Sequence, residues 1–194
     1  MTPAELVERA RSQSEVSIDR LVSIYGPEAY ALMKSGRPLS LLELMAHPDQ
    51  HKEMRTFRYG HVLGAPLSSD ALAAWQERHP QTPLSPDMVE LLLMVDGVHL
   101  WADLDAGRAY FGILPLAEWR GAREVLGGEG VPEETLLISY HDNGDAFLLL
   151  GSDGRFTWFD PQSPDDSTLL GGSVGGLLEW WWRNCEQLDP RRTR

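Results

Sequence analysis

The feature that most constrains the fold is a run of three strand-like segments joined by two tight turns. The segments cover residues 136–141, 146–150 and 156–159. The first turn contains Asn143-Gly144 and the second contains Asp153-Gly154, dipeptides that readily adopt the positive φ angles of two-residue hairpin turns. Segments so close in sequence pair with reversed direction. The sequence therefore predicts a three-stranded antiparallel meander in the C-terminal half.

Helices and a second hairpin are predicted around this meander. Ser85, with Pro86 at the first helical position, begins a helix that Gly97 closes. Apolar side chains recur on one helical face over 174–188. A hairpin is predicted over 99–114, and the pattern as a whole lacks strand–helix–strand alternation. The expected class is therefore α+β, with an antiparallel sheet (hairpin plus three-strand meander) covered on one face by helices and an N-terminal helical extension.

The first sixty residues are predicted to be helical, without the strand patterns of the second half. We predict one helix over 3–25, capped by Thr2, and another over 28–34. A third begins at Ser40, and residues 49–58 are predicted to continue as helix. A loop with two glycines and a proline follows, which places the domain boundary there. The expected organisation is an N-terminal helical extension over 1–62 and an α+β domain over 63–190.

Negative charge is concentrated in the second half of the chain. The 194 residues carry 29 acidic and 17 basic side chains, a net charge of -12. Residues 85–194 hold 19 acidic and 8 basic residues, a net of -11, whereas residues 1–84 are at -1. This surplus disfavours nucleic acid or an anionic membrane as a direct partner and leaves basic proteins as candidates. A merely solubilising surface is the alternative interpretation.

The remaining composition indicates the compartment of the protein but no particular reaction. The single cysteine excludes a disulfide framework, and no apolar run approaches the ~20 residues that a membrane span needs. The first residues have no apolar core of a secretory signal, so we expect a cytoplasmic protein.

Motifs for catalysis or metal binding are weak. His47 and His51 have the spacing of two metal ligands on a helix, but Pro48 disfavours helical geometry at His47. Cys185 lies on the apolar face of the last predicted helix, which is typical of a core thiol. We expect no catalytic residue, no metal and no cofactor. A small hydrolase or metal enzyme using His47, His51, His61 or His141 remains the competing interpretation.

Four stretches, taken in order, resemble the SUKH superfamily, the Smi/Knr-like group. They are LSPDMVELLLMVDGV at 84–98, AYFGILPLAEW at 109–119, LLISYHDNGDAFLLLGSDGRFTWFDPQ at 136–162 and the LLEWWW helix. The resemblance covers about residues 67–188. Ser85, Met88 and Asp96 depart from the usual Pro, Tyr and Asn of the family motif.

The resemblance implies a single α+β domain without shared catalytic residues. Many bacterial members are immunity proteins that neutralise a toxin domain, and eukaryotic relatives act as regulatory scaffolds. We therefore expect stoichiometric occlusion of a cognate toxin, one that is basic and nuclease-like. A non-catalytic scaffold module is the alternative, and the oligomeric state is left open. Seven residues are expected to contact the partner: Asp103, Asp105, Asp142, Asp145, Asp160, Trp101 and Trp158.

Overall fold

The computed structural model describes residues 1–35, 40–107, 111–127, 130–140 and 146–188. Within those ranges the helices are α1 (Pro3–Ser12), α2 (Pro27–Lys34), α3 (Leu41–Met45), α4 (Ser69–Arg78), α5 (Pro86–Met94), α6 (Ala122–Leu126) and α7 (Val174–Leu188). The strands are β1 (Val16–Ile24), β2 (His51–Leu63), β3 (Val98–Asp103), β4 (Phe111–Ile113), β5 (Arg120–Gly121), β6 (Thr135–Tyr140), β7 (Phe147–Gly151), β8 (Phe156–Phe159) and β9 (Thr168–Gly171). Two short 3-10 turns cover Leu116–Glu118 and Pro164–Asp166.

The chain divides into two compact units. Unit 1 consists of Met1–Val16 together with Tyr59–Arg194, and unit 2 is the intervening segment Ser17–Arg58. The predicted boundary at residue 62 does not coincide with this division. Because the first sixteen residues group with the C-terminal part of the chain, unit 2 is an insertion within unit 1 rather than an N-terminal extension.

The strands form two sheets whose described pairings are all antiparallel. One sheet has the order β1-β2-β3-β4, and the other has the order β5-β6-β7-β8-β9. In unit 1 the end of β2 pairs with β3 (Gly60 opposite Ala102), and β3 pairs with β4. The meander β6-β7-β8 is present as predicted, with Leu148 opposite Trp158 in its centre. The α+β class with antiparallel sheets is confirmed.

The core of unit 1 is built by residues of the meander and of three helices, among other elements. Helix α1 contributes Leu6 and Val7, and α7 contributes Trp181; all three are at most 1% exposed. Helix α5 packs against both α1 and α7. On β7 the consecutive residues Leu148–Leu150 are all buried, although alternate side chains of a strand point to opposite faces. The centre of the meander is therefore covered on both faces.

Two predicted helical regions are strands instead. The helix predicted over 3–25 ends at Ser12, and its second half is β1. The segment predicted to continue as helix over 49–58 belongs to β2. Apart from the buried Gly60, burial in β2 alternates from Phe57 to Leu63, the period of a strand. Between β4 and α6 the chain forms the 3-10 turn and then β5.

The Asp-Gly pair after α5 joins three parts of unit 1. Asp96 Oδ1 accepts a hydrogen bond from the Leu116 N–H at 2.7 Å, which caps the 3-10 turn that follows β4. Gly97 has a φ of +101° and lies against Pro115. Gly64 approaches so closely that an added Cβ would lie 1.9 Å from the Asp96 carbonyl oxygen. These residues are therefore required by the packing of the turn.

No helix among the described residues combines the length and apolar character needed to cross a membrane.

Candidate partner-binding surface

The turn after β3 holds the first two predicted contact residues. Asp103 Oδ1 accepts hydrogen bonds from the backbone N–H groups of Asp105 (3.0 Å) and Ala106 (2.9 Å). The turn closes where the Gly107 N–H bonds to the Asp103 carbonyl, and Gly107 has a φ of +68°. Asp103 is half-exposed and Asp105 is exposed. One oxygen of Asp103 thus organises the turn, which presents both carboxylates at the end of β3.

Asp160 occupies a comparable position after β8. Its Oδ1 accepts a hydrogen bond from the Gln162 N–H at 2.8 Å, and its carbonyl accepts one from Ser163. It is half-buried. Asp142 and Asp145 lie outside the described residues. Of the five predicted carboxylates, the structure therefore describes three, each at the end of a strand.

Trp158 on β8 forms an aromatic pair with Trp180 on α7. The two ring centroids are 5.8 Å apart at an interplanar angle of 49°, and both side chains are half-buried. Trp180 lies off the apolar stripe of α7, which explains why it reaches the surface while Trp181 is buried. Trp158 thus remains a candidate anchor, and Trp180 joins it.

Trp101 is buried, and the expectation of an exposed anchor at this position is wrong. Its side chain is 4% exposed, and its backbone has the unusual positive φ of +50°. Its N–H donates to His61 Nδ1 at 3.1 Å, and its ring lies 4.5 Å from the His61 ring. Trp119 is also a core residue, since its side chain is 4% exposed. Its Nε1–H donates to the Leu114 carbonyl at 2.8 Å.

His61 packs against two tryptophan rings in unit 1. Since Nδ1 accepts from Trp101, Nε2 carries the hydrogen and donates to Gln13 Oε1 at 2.6 Å. Its ring also lies 6.2 Å from that of Trp182, and the Arg9 guanidinium lies 4.4 Å above the Trp182 ring. The hydrogen-bonded neutral imidazole is therefore positioned as a packing group, not as an exposed base.

A cavity of about 590 Å³ lies beside Arg9 and Trp182. Both signs of charge line it, with Arg9 and Arg183 next to Glu5 and Glu179. Some of these charged groups already have partners within the chain. Arg183 forms an ion pair with Glu179 at 2.5 Å, and Glu5 completes the capping box of α1. Its lining is Met1, Glu5, Arg9, Glu179, Trp182 and Arg183.

Several arginines of unit 1 are held by neighbours of their own chain. Arg123 pairs with Glu133 at 3.0 Å, and Arg155 pairs with Asp153 at 3.4 Å. Arg120 donates to the carbonyls of Ala117 and Trp119. These partners are local, so the arginines do little to offset the carboxylates elsewhere on the unit.

Helix α5 carries part of the negative charge of unit 1. Asp87 and Glu90 are exposed on it, while Met88, Leu91 and Leu92 are buried on the opposite side. The helix has no basic residue. Sequence reasoning did not include Asp87 and Glu90 among the contact residues, although their three-residue spacing away from the apolar stripe could have identified an acidic helix face.

The charge of the whole chain follows the division into units. Unit 2 has five acidic and six basic residues, a net charge of +1, whereas unit 1 has 24 acidic and 11 basic residues, a net of -13. The predicted asymmetry between sequence halves is thus sharper when residues are grouped by unit.

The histidines proposed as metal ligands are in separate local contacts. His47 contacts the Asp49 carboxylate, which itself accepts the N–H groups that begin α2. His51 lies 3.9 Å from Glu53. Across the described part of the chain, no three His, Cys, Asp or Glu side chains are grouped as a metal site would require. His141 is outside that part.

Comparisons of this chain with protein-family models, with curated proteins and with solved structures found no match.

Proposed function

We propose that this chain is an immunity protein of the SUKH type, which binds a basic cognate toxin stoichiometrically and occludes its substrate groove. The observation that carries the proposal is the net charge of -13 on unit 1, with several of its arginines paired locally. The motif order that resembles the superfamily also falls within unit 1. A nuclease-like toxin has a basic groove for a phosphate backbone, so a carboxylate-rich surface is complementary to it.

The proposed contact surface combines carboxylates at strand ends with an aromatic anchor. Asp103, Asp105 and Asp160 supply charge, and the Trp158–Trp180 pair supplies area that can be buried. The helix face with Asp87 and Glu90 extends the negative surface. No covalent step is proposed, because binding alone excludes the substrate.

The test uses the toxin-like C-terminal domain encoded next to this gene, if the genome has one. Cells expressing that domain should stop growing, and coexpression of this chain should restore growth. Purified chain should inhibit the domain at a one-to-one ratio. Full growth arrest despite soluble coexpressed chain contradicts the proposal. Pull-down of a housekeeping complex with no toxin would favour the scaffold alternative.

Charge-neutralising variants locate the surface. Asp→Asn at positions 103, 105, 142, 145 and 160 removes five negative charges. At 103 and 160 the amide keeps an Oδ1 acceptor for the turn bonds. We expect the association rate at low salt to fall at least ~10-fold, since complementary charge steers encounter. The control replaces two carboxylates of unit 2, Glu28→Gln with Glu53→Gln, and the two sets are compared per charge removed. Equal effects per charge would show that net charge, not this surface, governs binding.

A further inference from the structure

We propose that unit 2 is the interface through which two copies of this chain form a symmetric dimer. This segment of 42 residues has almost no interior of its own. Ala29 is buried, and it is the one residue of unit 2 among the described side chains that is fully covered. Folded units near 40 residues usually need disulfides, metals or association to be stable. The chain has one cysteine, which lies in unit 1.

Unit 2 exposes large apolar side chains instead of burying them. Six of them are 48–79% exposed: Leu21, Tyr30, Met33, Leu42, Met45 and Met54. A single exposed apolar residue is ordinary, but six within 42 residues form an unusual concentration. Methionine is also well suited to such a surface, because its flexible thioether adapts to a facing side chain.

The six residues are arranged in pairs on regular elements. On α2, Tyr30 and Met33 are three residues apart and lie on one side, while Ala29 is buried. On α3, Leu42 and Met45 have the same spacing. Residues three apart are neighbours on a helix surface. Each helix of unit 2 therefore presents a two-residue apolar stripe.

The remaining pair shares one face of the strands. Thr56 Oγ1 donates to Asp19 Oδ1 at 2.7 Å, so these two side chains are on the same face of the β1-β2 ribbon. Side chains two apart on a strand point the same way. Leu21, two after Asp19, and Met54, two before Thr56, therefore lie on that face as well.

Charge favours a second copy as the occupant. Unit 1 carries -13, so contact between two unit 1 surfaces would bring like charges together. Unit 2 carries +1 and offers no strong charge complement to either an acidic or a basic partner. A near-neutral apolar surface is complementary to itself, and identical patches related by a two-fold axis form a closed dimer.

The exposed apolar area of unit 2 is comparable to the area that one partner buries in a standard interface. Six side chains of these types, about half exposed, offer on the order of 600 Å² of surface, against roughly 800 Å² per partner in a standard interface. Their backbone and the polar residues between them supply the rest. The dimer does not depend on the proposed immunity function.

Light scattering coupled to size exclusion tests the proposal on the full chain. At about 50 µM the wild type should have twice the chain mass of 21.7 kDa. The double variant Met33→Glu, Leu42→Glu should raise the dissociation constant at least ~100-fold and give a monomer, because burial in an apolar contact removes the hydration of each new carboxylate. The matched control is Val125→Glu with Leu169→Glu, two residues of unit 1 with similar exposure (52% and 55%). The control should remain dimeric.

Circular dichroism and the melting temperature check that each variant is folded. If the Glu pair unfolds, Met45→Gln with Met54→Gln provides a milder test, and the same loss of mass is expected. Because the contact is apolar, the wild-type mass should stay at the dimer value when the salt concentration is raised from about 0.05 to 0.5 M. A monomeric wild type, or a dimer that only the unit 1 control dissociates, overturns the proposal. Open oligomers that salt dissociates would overturn it in favour of head-to-tail contacts between units of opposite charge.

Discussion

Single residues of unit 1 hold together segments that are distant in sequence. Asp96 lies two residues after the end of α5, and its carboxylate accepts a hydrogen bond from the N–H of Leu116, twenty residues later. A local pattern can identify an Asp-Gly turn, but it does not contain the partner of the side chain.

Replacing Asp96 by Ala should therefore lower the free energy of unfolding by about 1–3 kcal/mol, because the Leu116 N–H loses its acceptor. Asp96→Asn keeps the acceptor and should lose less than half as much. Urea denaturation followed by tryptophan fluorescence measures both. Equal losses for the two variants would contradict the assigned hydrogen bond.

His99 gives the fold a dependence on pH. Its burial on β3 lowers its pKa below the ordinary value of 6.5, and the carboxylate of Glu118 opposes this shift. The unfolded chain therefore binds the proton more tightly than the folded chain. The stabilisation by neutral His99 is complete above pH 6.5 and is lost as the pH falls through 6.5 toward the lower folded pKa.

Between pH 7.5 and 5 the wild type should therefore lose more stability than His99→Gln. Urea midpoints across that range measure the difference. Val125→Ala, at an exposed position with no titratable group, provides the control and should follow the wild-type curve. Parallel curves for wild type and His99→Gln would contradict the effect of burial.

At the scale of elements, helices whose ends have local signals are predicted best. The last helix has the predicted bounds, and the capping boxes at Thr2 and Ser40 are present. Strands β1 and β2 are the main error. Apolar residues of β1 such as Ile18, Leu21 and Val22 fit a helical stripe approximately. Pairing with a strand that begins 27 residues after β1 ends decides the conformation instead.

One serine side chain begins helix α4. Its N-cap is Ser68, whose Oγ accepts the Ala71 N–H at 3.2 Å. Ser68→Ala should cost about 1 kcal/mol and lower the melting temperature by about 2–4 °C. Ser69→Ala is the matched control and should leave the melting temperature within about 1 °C. A larger effect at Ser69 would reassign the cap.

At the scale of the molecule, the N-terminal helix belongs to the core of unit 1. Leu6 is completely buried there, although sequence analysis assigned it to a separate extension. The apolar stripe of α1 was visible in the sequence, but the surface that it packs against was not. Only residues far along the chain, on α5 and α7, complete that contact.

Leu6→Ala should therefore lower the free energy of unfolding of unit 1 by about 2–5 kcal/mol, the usual cost of a cavity in a packed core. Val125→Ala, at an exposed position of the same unit, should change it by less than about 0.5 kcal/mol. Denaturant unfolding of both variants provides the measurement. A loss below 1 kcal/mol at Leu6 would show that α1 is a detachable extension.

The sequence by itself determined the α+β class, the meander, the caps and the concentration of acidic residues, since these depend on neighbours a few positions apart or on composition. The tertiary structure decided which tryptophans are buried, where β1 and β2 replace helix, and how 17–58 separates from the rest. Trp101 and Trp158 both lie on strands, yet one is core and the other half-exposed. That difference arises from packing between elements distant in sequence, which no local pattern encodes.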